Sequence, residues 1–203
     1  MITKRPSRKR SAPRIVPATA RGSWPMLSTR RVLVATDGSD AARAALQFAR
    51  SMEERGAWSP EVLTVLEPVP VSVAEVAFAA PSPEYQNLVT ESALKRIMGQ
   101  MRRYGRGDWK LDTRFGSAAS SILDAATEHD AEVIVLGLGR HGRLARLFGA
   151  ETAARVARRS RAVVLAVTPG AERFRTAVVA IDFGSSSIRA AREALHLLTP
   201  PAR

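Results

Sequence analysis

The stretch Val133–Gly142, with the sequence VIVLGLGRHG, constrains the fold more than any other part of the chain. A short apolar run rich in β-branched residues passes into three glycines and a basic stretch. A parallel strand that is buried on both faces ends in this way at a phosphate-binding loop. The earlier stretch Arg31–Ser39 follows a similar course and ends in an acid, a glycine and a helix-capping serine. Two such strand ends in one small domain predict a nucleotide-sized crevice at the carboxyl edge of a sheet.

The composition is that of a soluble globular protein with one ordinary domain and additional segments. The chain has 203 residues, of which 45% are hydrophobic and 25% are charged, as in typical globular domains. No apolar run approaches the ~20 residues that cross a bilayer, so we expect no membrane association and a cytoplasmic location. The absence of cysteine excludes disulfides, thiolate metal sites and cysteine nucleophiles. The three histidines are too scattered to suggest a metal site.

The basic charge is concentrated at the start of the chain. The formal net charge is +12, and residues 1–31 carry nine Lys and Arg side chains and no acid, which leaves +3 for residues 32–203. Residues 1–30 also contain four prolines and show no periodicity, so we expect a disordered basic tail. Such a tail could bind RNA, DNA or acidic lipid, although a solvated tail is the simpler interpretation. Met26 offers an alternative start that would remove most of the tail.

Strands and helices alternate along residues 31–169. Apolar runs indicate five strands, and capping residues and apolar residues at three- and four-residue steps indicate four helices. The predicted strands are 32–36, 61–66, 110–115, 133–137 and 162–167, and the predicted helices are 40–55, 83–104, 118–129 and 151–159. This alternation predicts an α/β fold with a doubly wound, five-stranded parallel sheet and helices on both faces. We expect Trp58 and Trp109 to pack at strand starts and His129 to be a solvated residue at a helix end.

An internal repeat follows the fifth strand. The sequence VATDGS at residues 34–39 recurs as VAIDFGS at residues 179–185, with one residue inserted. Self-similarity of this kind suggests a partial second copy of the domain over residues 170–203, with a strand at 177–181 and a helix at 189–198. One strand and one helix cannot bury a core of their own. The chain is therefore a truncated tandem protein, or the additional unit docks on another sheet.

The chain resembles the universal stress protein family over residues 30–168, with the partial second copy at 176–198. The resemblance is carried by the opening VLVATDGS, the turn and helix GSAASSIL, the strand HDAEVIVLG and the ending RVARRSRAVVLAV. It implies a Rossmann-like sheet with strand order 3-2-1-4-5, and usually dimers. It also implies a small cytoplasmic protein linked to stress survival, in a family of which some members bind ATP.

The loop after the fourth strand departs from the pattern of the ATP-binding members, which is Gly-x2-Gly-x9-Gly-Ser/Thr. Glycines in such a loop let backbone N–H groups approach the phosphates, and the following helix N-terminus adds positive potential. Aligned at Gly137, the chain reads Gly137-x2-Arg140-x9-Ala150-Glu151. Two glycines are therefore lost, and a carboxylate replaces the hydroxyl.

A second register and the acid of the first strand complete the candidate site. Gly139-x2-Gly142 restores two glycines but places Thr152 where the third should be. Asp37 resembles the family's acid at the end of the first strand, which lies near the adenosine in members that bind ATP, although capping of the next helix is an equally simple role. The candidate nucleotide-binding residues are Asp37, Gly137, Gly139, Arg140, Gly142 and Thr152.

The charges around this loop support two interpretations. Arg140, His141, Arg143 and Arg146 could hold phosphate by charge instead of backbone. Alternatively, Glu151 stabilises the helix N-terminus by about 0.3–1 kcal/mol and occupies the position that a γ-phosphate needs. No serine or aspartate at triad spacing accompanies His141, so we assign no catalytic residue.

The sequence therefore predicts a non-catalytic universal stress protein that regulates a stress response as a dimer. We expect dimerisation through the fifth strand, because a bare apolar edge strand is an aggregation hazard that pairing removes. The competing possibility is that the predicted strand at 177–181 covers an edge within one chain or between chains. The alternative is a member that binds ATP and hydrolyses it slowly at most, and the second alternative is nucleic-acid association through the basic tail.

Overall fold

The computed structural model describes residues 29–56, 58–67, 83–138, 150–171 and 176–198. Within these ranges the chain forms five strands and five helices. The strands are β1 (Arg30–Ala35), β2 (Trp58–Leu66), β3 (Leu111–Phe115), β4 (Val133–Gly137) and β5 (Val163–Val167). The helices are α1 (Asp40–Glu53), α2 (Pro83–Tyr104), α3 (Ala118–Glu128), α4 (Ala150–Arg159) and α5 (Ser185–Leu198). None of the helices within these ranges is long and apolar enough to cross a membrane.

The five strands form one parallel sheet in the order β3-β2-β1-β4-β5. The central strand β1 pairs with both β2 and β4, so that Val34 lies opposite Val62 on one side and Val135 on the other. This is the order that the family resemblance implies, and the prediction is confirmed. The order also places the carboxyl ends of β1 and β4 side by side at the point where the winding of the sheet reverses, where α/β sheets bind ligands.

Helices cover both faces of the sheet, as predicted. On one face, Phe48 of α1 and Ile97 of α2 pack with the β-branched residues of β1 and β4. On the other face, Ile122 of α3 and Val156 of α4 form a second apolar layer. Strands buried on both faces need apolar residues at every position, which explains why these strands show no polar alternation.

The aromatic residues at the strand starts are buried, as the sequence analysis expected. Trp58 opens β2 and packs edge-on against Phe48, with ring centroids 5.5 Å apart. Trp109 precedes β3, and its indole N–H donates to the Glu53 carboxylate at 3.1 Å. Both contacts join the strands to α1, so the two tryptophans help to hold this helix on the sheet.

The predicted apolar stripe of α2 packs over one part of the helix only. Ile97 and Met101 are buried, whereas Leu88 is 60% exposed and Val89 43% exposed. The helix is longer than the neighbouring strands: at 1.5 Å per residue its 22 residues span about 33 Å, whereas the five residues of β3 span about 17 Å. Arg96 lies beside the carboxyl end of β1, so the residues that precede it extend past this edge of the sheet.

His129 is not the solvated helix-end residue that the sequence analysis expected. Its Nδ1 atom lies 2.9 Å from Oε2 of Glu61 on β2, and its Nε2 atom lies 3.3 Å from Oδ2 of Asp112 on β3. The correction has a tertiary cause, because β2 and β3 bring two carboxylates to the C-terminal end of α3. No local pattern in the sequence predicts these contacts.

The predicted strand of the second copy is absent, because residues 176–182 form no strand in the structure. A strand needs a neighbour whose backbone pairs with its N–H and C=O groups. An apolar run favours the strand conformation, but it does not provide that neighbour. The predicted helix is present as α5 and begins earlier than expected, at Ser185. It is held to the domain by Leu197, which packs against the α1 side of the core, and by Arg30, which donates to Glu193 at 2.5 Å.

Candidate functional site

A crevice lies at the carboxyl edge of the sheet, where β1 and β4 end beside each other. Its lining combines the two strand ends with the first turns of α1 and α4: Ala35, Asp37, Ser39, Ala42, Leu136, Gly137, Thr152 and Ala153. The structure therefore brings together three of the candidate residues, Asp37, Gly137 and Thr152. The other three, Gly139, Arg140 and Gly142, lie outside the described residues, as do His141, Arg143 and Arg146.

The turn between β1 and α1 forms one wall of the crevice, and its side chains bind its own backbone. The Gly38 N–H donates to Oγ1 of the buried Thr36 at 3.1 Å. The Ser39 N–H donates to Oδ1 of Asp37 at 2.8 Å, and Oγ of Ser39 accepts from the Ala42 N–H at 3.3 Å. Ser39 is thus the helix cap that the sequence predicted. The carboxylate of Asp37 both lines the crevice and stabilises the turn.

Two side chains of α2 fasten the same turn from outside. Nε2 of Gln100 donates to the Gly38 carbonyl at 2.7 Å, and Nη2 of Arg96 donates to the Asp37 carbonyl at 3.4 Å. Neither residue is predicted from the sequence. They are four residues apart on one helix and therefore lie on the same side of it. The apolar pattern predicts this helix, but no local pattern shows that its polar residues contact a turn about sixty residues earlier.

Gly137 lies where α1 crosses the end of β4. A Cβ atom at this position would lie 2.1 Å from the carbonyl oxygen of Ala41 and 2.9 Å from the Cα of Ala42. The glycine therefore allows the first turn of α1 to touch the strand directly. This is a packing reason for glycine, distinct from the close approach of a phosphate on which the sequence analysis relied.

The N-terminus of α4 closes the crevice opposite α1. Thr152 faces the crevice, and Glu151 lies in the first turn of the helix. The Glu151 carboxylate is mostly exposed and pairs with Arg155 one turn later, at 2.5 Å. Negative charge at this end of a helix stabilises the helix macrodipole.

Few of the described side chains that line the crevice are polar. The described side chains that line it offer one carboxylate and two hydroxyls, and neither a histidine nor a lysine lies among them. Within the described ranges, no group of three His, Cys, Asp or Glu side chains could hold a metal ion. A ligand here would be held by hydroxyl groups and by the backbone N–H groups at the start of α4.

Comparison with protein families matches residues 28–168 to the Universal stress protein family. A universal stress protein from Archaeoglobus fulgidus DSM 4304 has a TM-score of 0.59 and 17% identity; the match covers 81% of this chain and 59% of that one. UspA from Lactobacillus plantarum has a TM-score of 0.49 and 18% identity, over 68% of this chain and 97% of that one. A universal stress protein described in complex with cAMP has a TM-score of 0.47 and 22% identity, over 69% of this chain and 97% of that one. None of the curated proteins compared with the chain matches it.

Proposed function

Because the chain belongs to the universal stress protein family, we propose that it is a non-catalytic regulator of a stress response that acts as a dimer. The observation that carries the proposal is the hydrogen bonding within the β1–α1 turn. Oxygens of Thr36, Asp37 and Ser39 accept hydrogen bonds from the backbone of the turn and of the first turn of α1. Groups committed to holding the fold supply a surface of fixed shape, which suits recognition of a partner.

The dimer is proposed to form through β5, which lies at one edge of the sheet. Its sequence, VVLAV, carries no charge. The opposite edge strand, β3, contains Asp112 and Arg114. Charged side chains discourage the addition of further strands, whereas an uncharged apolar edge invites it. A second copy of the chain is the partner that removes this hazard.

Adenine nucleotide binding is the second candidate, and the convergence of Asp37, Gly137 and Thr152 on one crevice favours it. Two observations weigh against a phosphate chain at this place. The first turn of α1 already occupies the space beside Gly137. The exposed carboxylate of Glu151 stands in the first turn of α4, where it would repel a phosphate. We therefore propose a regulator that works without bound ATP.

A thermal-shift measurement with millimolar ATP separates the two candidates, and we expect little or no change in melting temperature. A ligand at 100 times its dissociation constant stabilises a protein by about 2.7 kcal/mol, which would raise the melting temperature by several degrees. A clear ATP-dependent rise that disappears in the double variant Arg140→Ala, Arg143→Ala would instead establish nucleotide binding through a basic loop.

The matched control restores the pattern of the ATP-binding members. The triple variant Arg140→Gly, Ala150→Gly, Glu151→Ser reads Gly-x2-Gly-x9-Gly-Ser from Gly137 onwards. We expect it to acquire an ATP-dependent rise in melting temperature that the natural chain lacks. If it acquires none, the departures in this loop do not explain why the natural chain fails to bind ATP.

A further inference from the structure

Residues 176–182, here called the free segment, lead into α5 through the same kind of turn that joins β1 to α1. In the first turn, the Ser39 N–H donates to Oδ1 of Asp37 at 2.8 Å. In the second, the Gly184 N–H donates to Oδ1 of Asp182 at 2.8 Å. The internal repeat of the sequence is thus reproduced as local geometry, although the free segment itself is in no sheet.

The backbone of the second turn also follows the first. Gly38 has φ of +72°, and Phe183, which stands at the equivalent position, has φ of +62°. A phenylalanine adopts this left-handed conformation at a cost. The turn after the free segment therefore has the geometry of a turn that follows a parallel strand. A helix begins two residues after Gly38, at Asp40, and two residues after Phe183, at Ser185.

The free segment has the composition of a buried strand and the exposure of a loop. Its residues 177–181 read AVVAI, a continuous apolar run like that of β1. All of its residues are exposed, and the side chain of Val178 is 98% exposed. Backbone that belongs to no sheet and exposed apolar side chains in one segment favour addition to the edge of a sheet.

The same chain has an edge that needs such a strand. The strand order leaves one side of β5 without a neighbouring strand among the described residues. Ala166 at that edge is exposed, and Val164 and Leu165 are half-buried. The free segment and the β5 edge are similar in length and apolar character, and neither carries a charge between residues 176 and 181 or between 163 and 167.

In the structure α5 is held on its own domain, and the free segment that precedes it is not paired with β5 of that chain. Glu193 and Leu197 hold the helix on the α1 side of the core. With the helix held there and its preceding turn formed, the free segment pairs with no strand among the described residues, and its residues remain exposed. A second copy can offer its β5 edge without any change in this arrangement.

We propose that the free segment of one copy adds as a strand to the β5 edge of a second copy, and that the exchange is reciprocal. A two-fold dimer that exchanges the same element satisfies both edges and both segments with one kind of contact. This inference rests on the β5 dimer proposed above and identifies the element that covers β5.

Disulfide trapping between full-length chains tests the proposal, because the natural chain contains no cysteine. Chains with Ala166→Cys are mixed with tagged chains that carry Val178→Cys, and separately with tagged chains that carry Ala180→Cys. When the segment and β5 are aligned at their centres, Val178 lies opposite Ala166 in the antiparallel orientation. In the parallel orientation, Ala180 lies opposite Ala166. A disulfide requires Cα atoms within roughly 7 Å, so we expect one of the mixtures to yield a covalent heterodimer after oxidation. The control partner is Val89→Cys on α2, which should cross-link at least tenfold less.

Three outcomes would overturn the proposal. Efficient cross-linking of Ala166→Cys chains to each other would show that β5 pairs with β5. A monomeric disulfide in a chain that carries both cysteines would show that the segment pairs within its own chain. Equal cross-linking with the Val89→Cys control would show random collision.

Light scattering separates failure of this inference from failure of the proposed dimer. We expect Val178→Lys to convert the dimer to monomer without changing the melting temperature of the monomer, since Val178 buries no surface within one chain. Val89→Lys is the control and should remain dimeric. If Val164→Lys gives a folded monomer while Val178→Lys remains dimeric, the β5 dimer stands and the exchange is wrong. A natural chain that is monomeric at all concentrations refutes both.

Discussion

Two glycines at the carboxyl edge of the sheet are required for different physical reasons. Gly38 has φ of +72°, a conformation that side chains disfavour, and a Cβ atom there would also lie 2.9 Å from Nε of Arg96. Gly137 has no positive φ, but a Cβ atom there would meet the Ala41 carbonyl. The first glycine shapes the turn, and the second lets a helix touch a strand. Both glycines therefore help to shape the walls of the crevice.

Gly137→Ala is expected to lower the free energy of unfolding by about 2–3 kcal/mol, because the added methyl group forces α1 away from β4. Urea unfolding followed by circular dichroism measures the change. Gly99→Ala is the control: it lies inside α2 with open space around it, and should raise stability by roughly 0.5–1 kcal/mol. A Gly137→Ala variant as stable as the natural chain would show that the close approach of α1 is absent in solution.

At the scale of the elements, a group of charged side chains ties the end of α3 to β2 and β3. Arg114 on β3 donates to Asp112 at 2.9 Å and to Glu128 on α3 at 2.6 Å, and His129 contacts Asp112 and Glu61. Partial burial raises the pKa of Asp112, but the hydrogen bonds from Arg114 and His129 outweigh it and hold this pKa below its usual value. The β3 edge is thereby charged and internally paired, unlike the β5 edge.

Asp112→Asn is expected to lower the free energy of unfolding by about 1–2 kcal/mol at neutral pH, because it removes the charged acceptor of these hydrogen bonds. The ionised carboxylate stabilises the fold above its unfolded pKa of about 3.9, and this contribution is lost as the pH falls through the lower folded pKa. The difference between the variant and the natural chain should therefore shrink below about pH 4.

Chemical unfolding at a series of pH values measures this effect. Asp108→Asn is the control, since Asp108 pairs with Arg106 in an exposed position and exposed pairs contribute little. A difference between Asp112→Asn and the natural chain that persists unchanged below pH 3 would show that the effect is steric and not due to the charge.

At the scale of the whole molecule, the described residues that follow the family domain form one helix, α5. The family match covers residues 28–168, and α5 lies beyond it. The contacts that help to fix α5 to the domain include the partly buried Leu197 and the pair between Arg30 and Glu193. In the free segment that precedes α5, Val178 is 98% exposed, and Val179 and Ile181 are partly exposed. The family match thus ends before α5, although Leu197 of this helix packs against the core of the domain.

Removal of residues 171–203 is expected to leave the melting temperature within about 5 °C of that of the full chain, because a domain of this size shifts by a few degrees per kcal/mol. We also expect the shortened chain to be more soluble and monomeric, since it lacks the free segment. Differential scanning calorimetry and light scattering measure both properties. If the shortened chain is unfolded, α5 is an integral part of the fold and the interpretation as an added unit is wrong.

The sequence by itself determined most of the elements and their order, and it predicted the edge of the sheet at which the candidate site lies. Apolar runs, the Ser39 cap and the three- and four-residue spacing of α2 act within a few residues of each other, so they can be recognised without a structure. The predicted limits of α2 and β4 agree with the observed ones. The family resemblance then supplied the strand order, and parallel topology placed Asp37 and Gly137 at one edge.

Only the tertiary structure decided which groups meet. Gln100 binds a turn that is 62 residues away in the sequence, and His129 meets a carboxylate from each of two strands. Gly137 touches α1 in addition to ending its strand. Residues 176–182 show the converse, because their apolar pattern is that of a strand but they pair with none of the strands among the described residues. The physical reason is the same in these four cases. A local sequence pattern indicates the conformation that a segment prefers, whereas a contact depends on which other parts of the chain lie beside it.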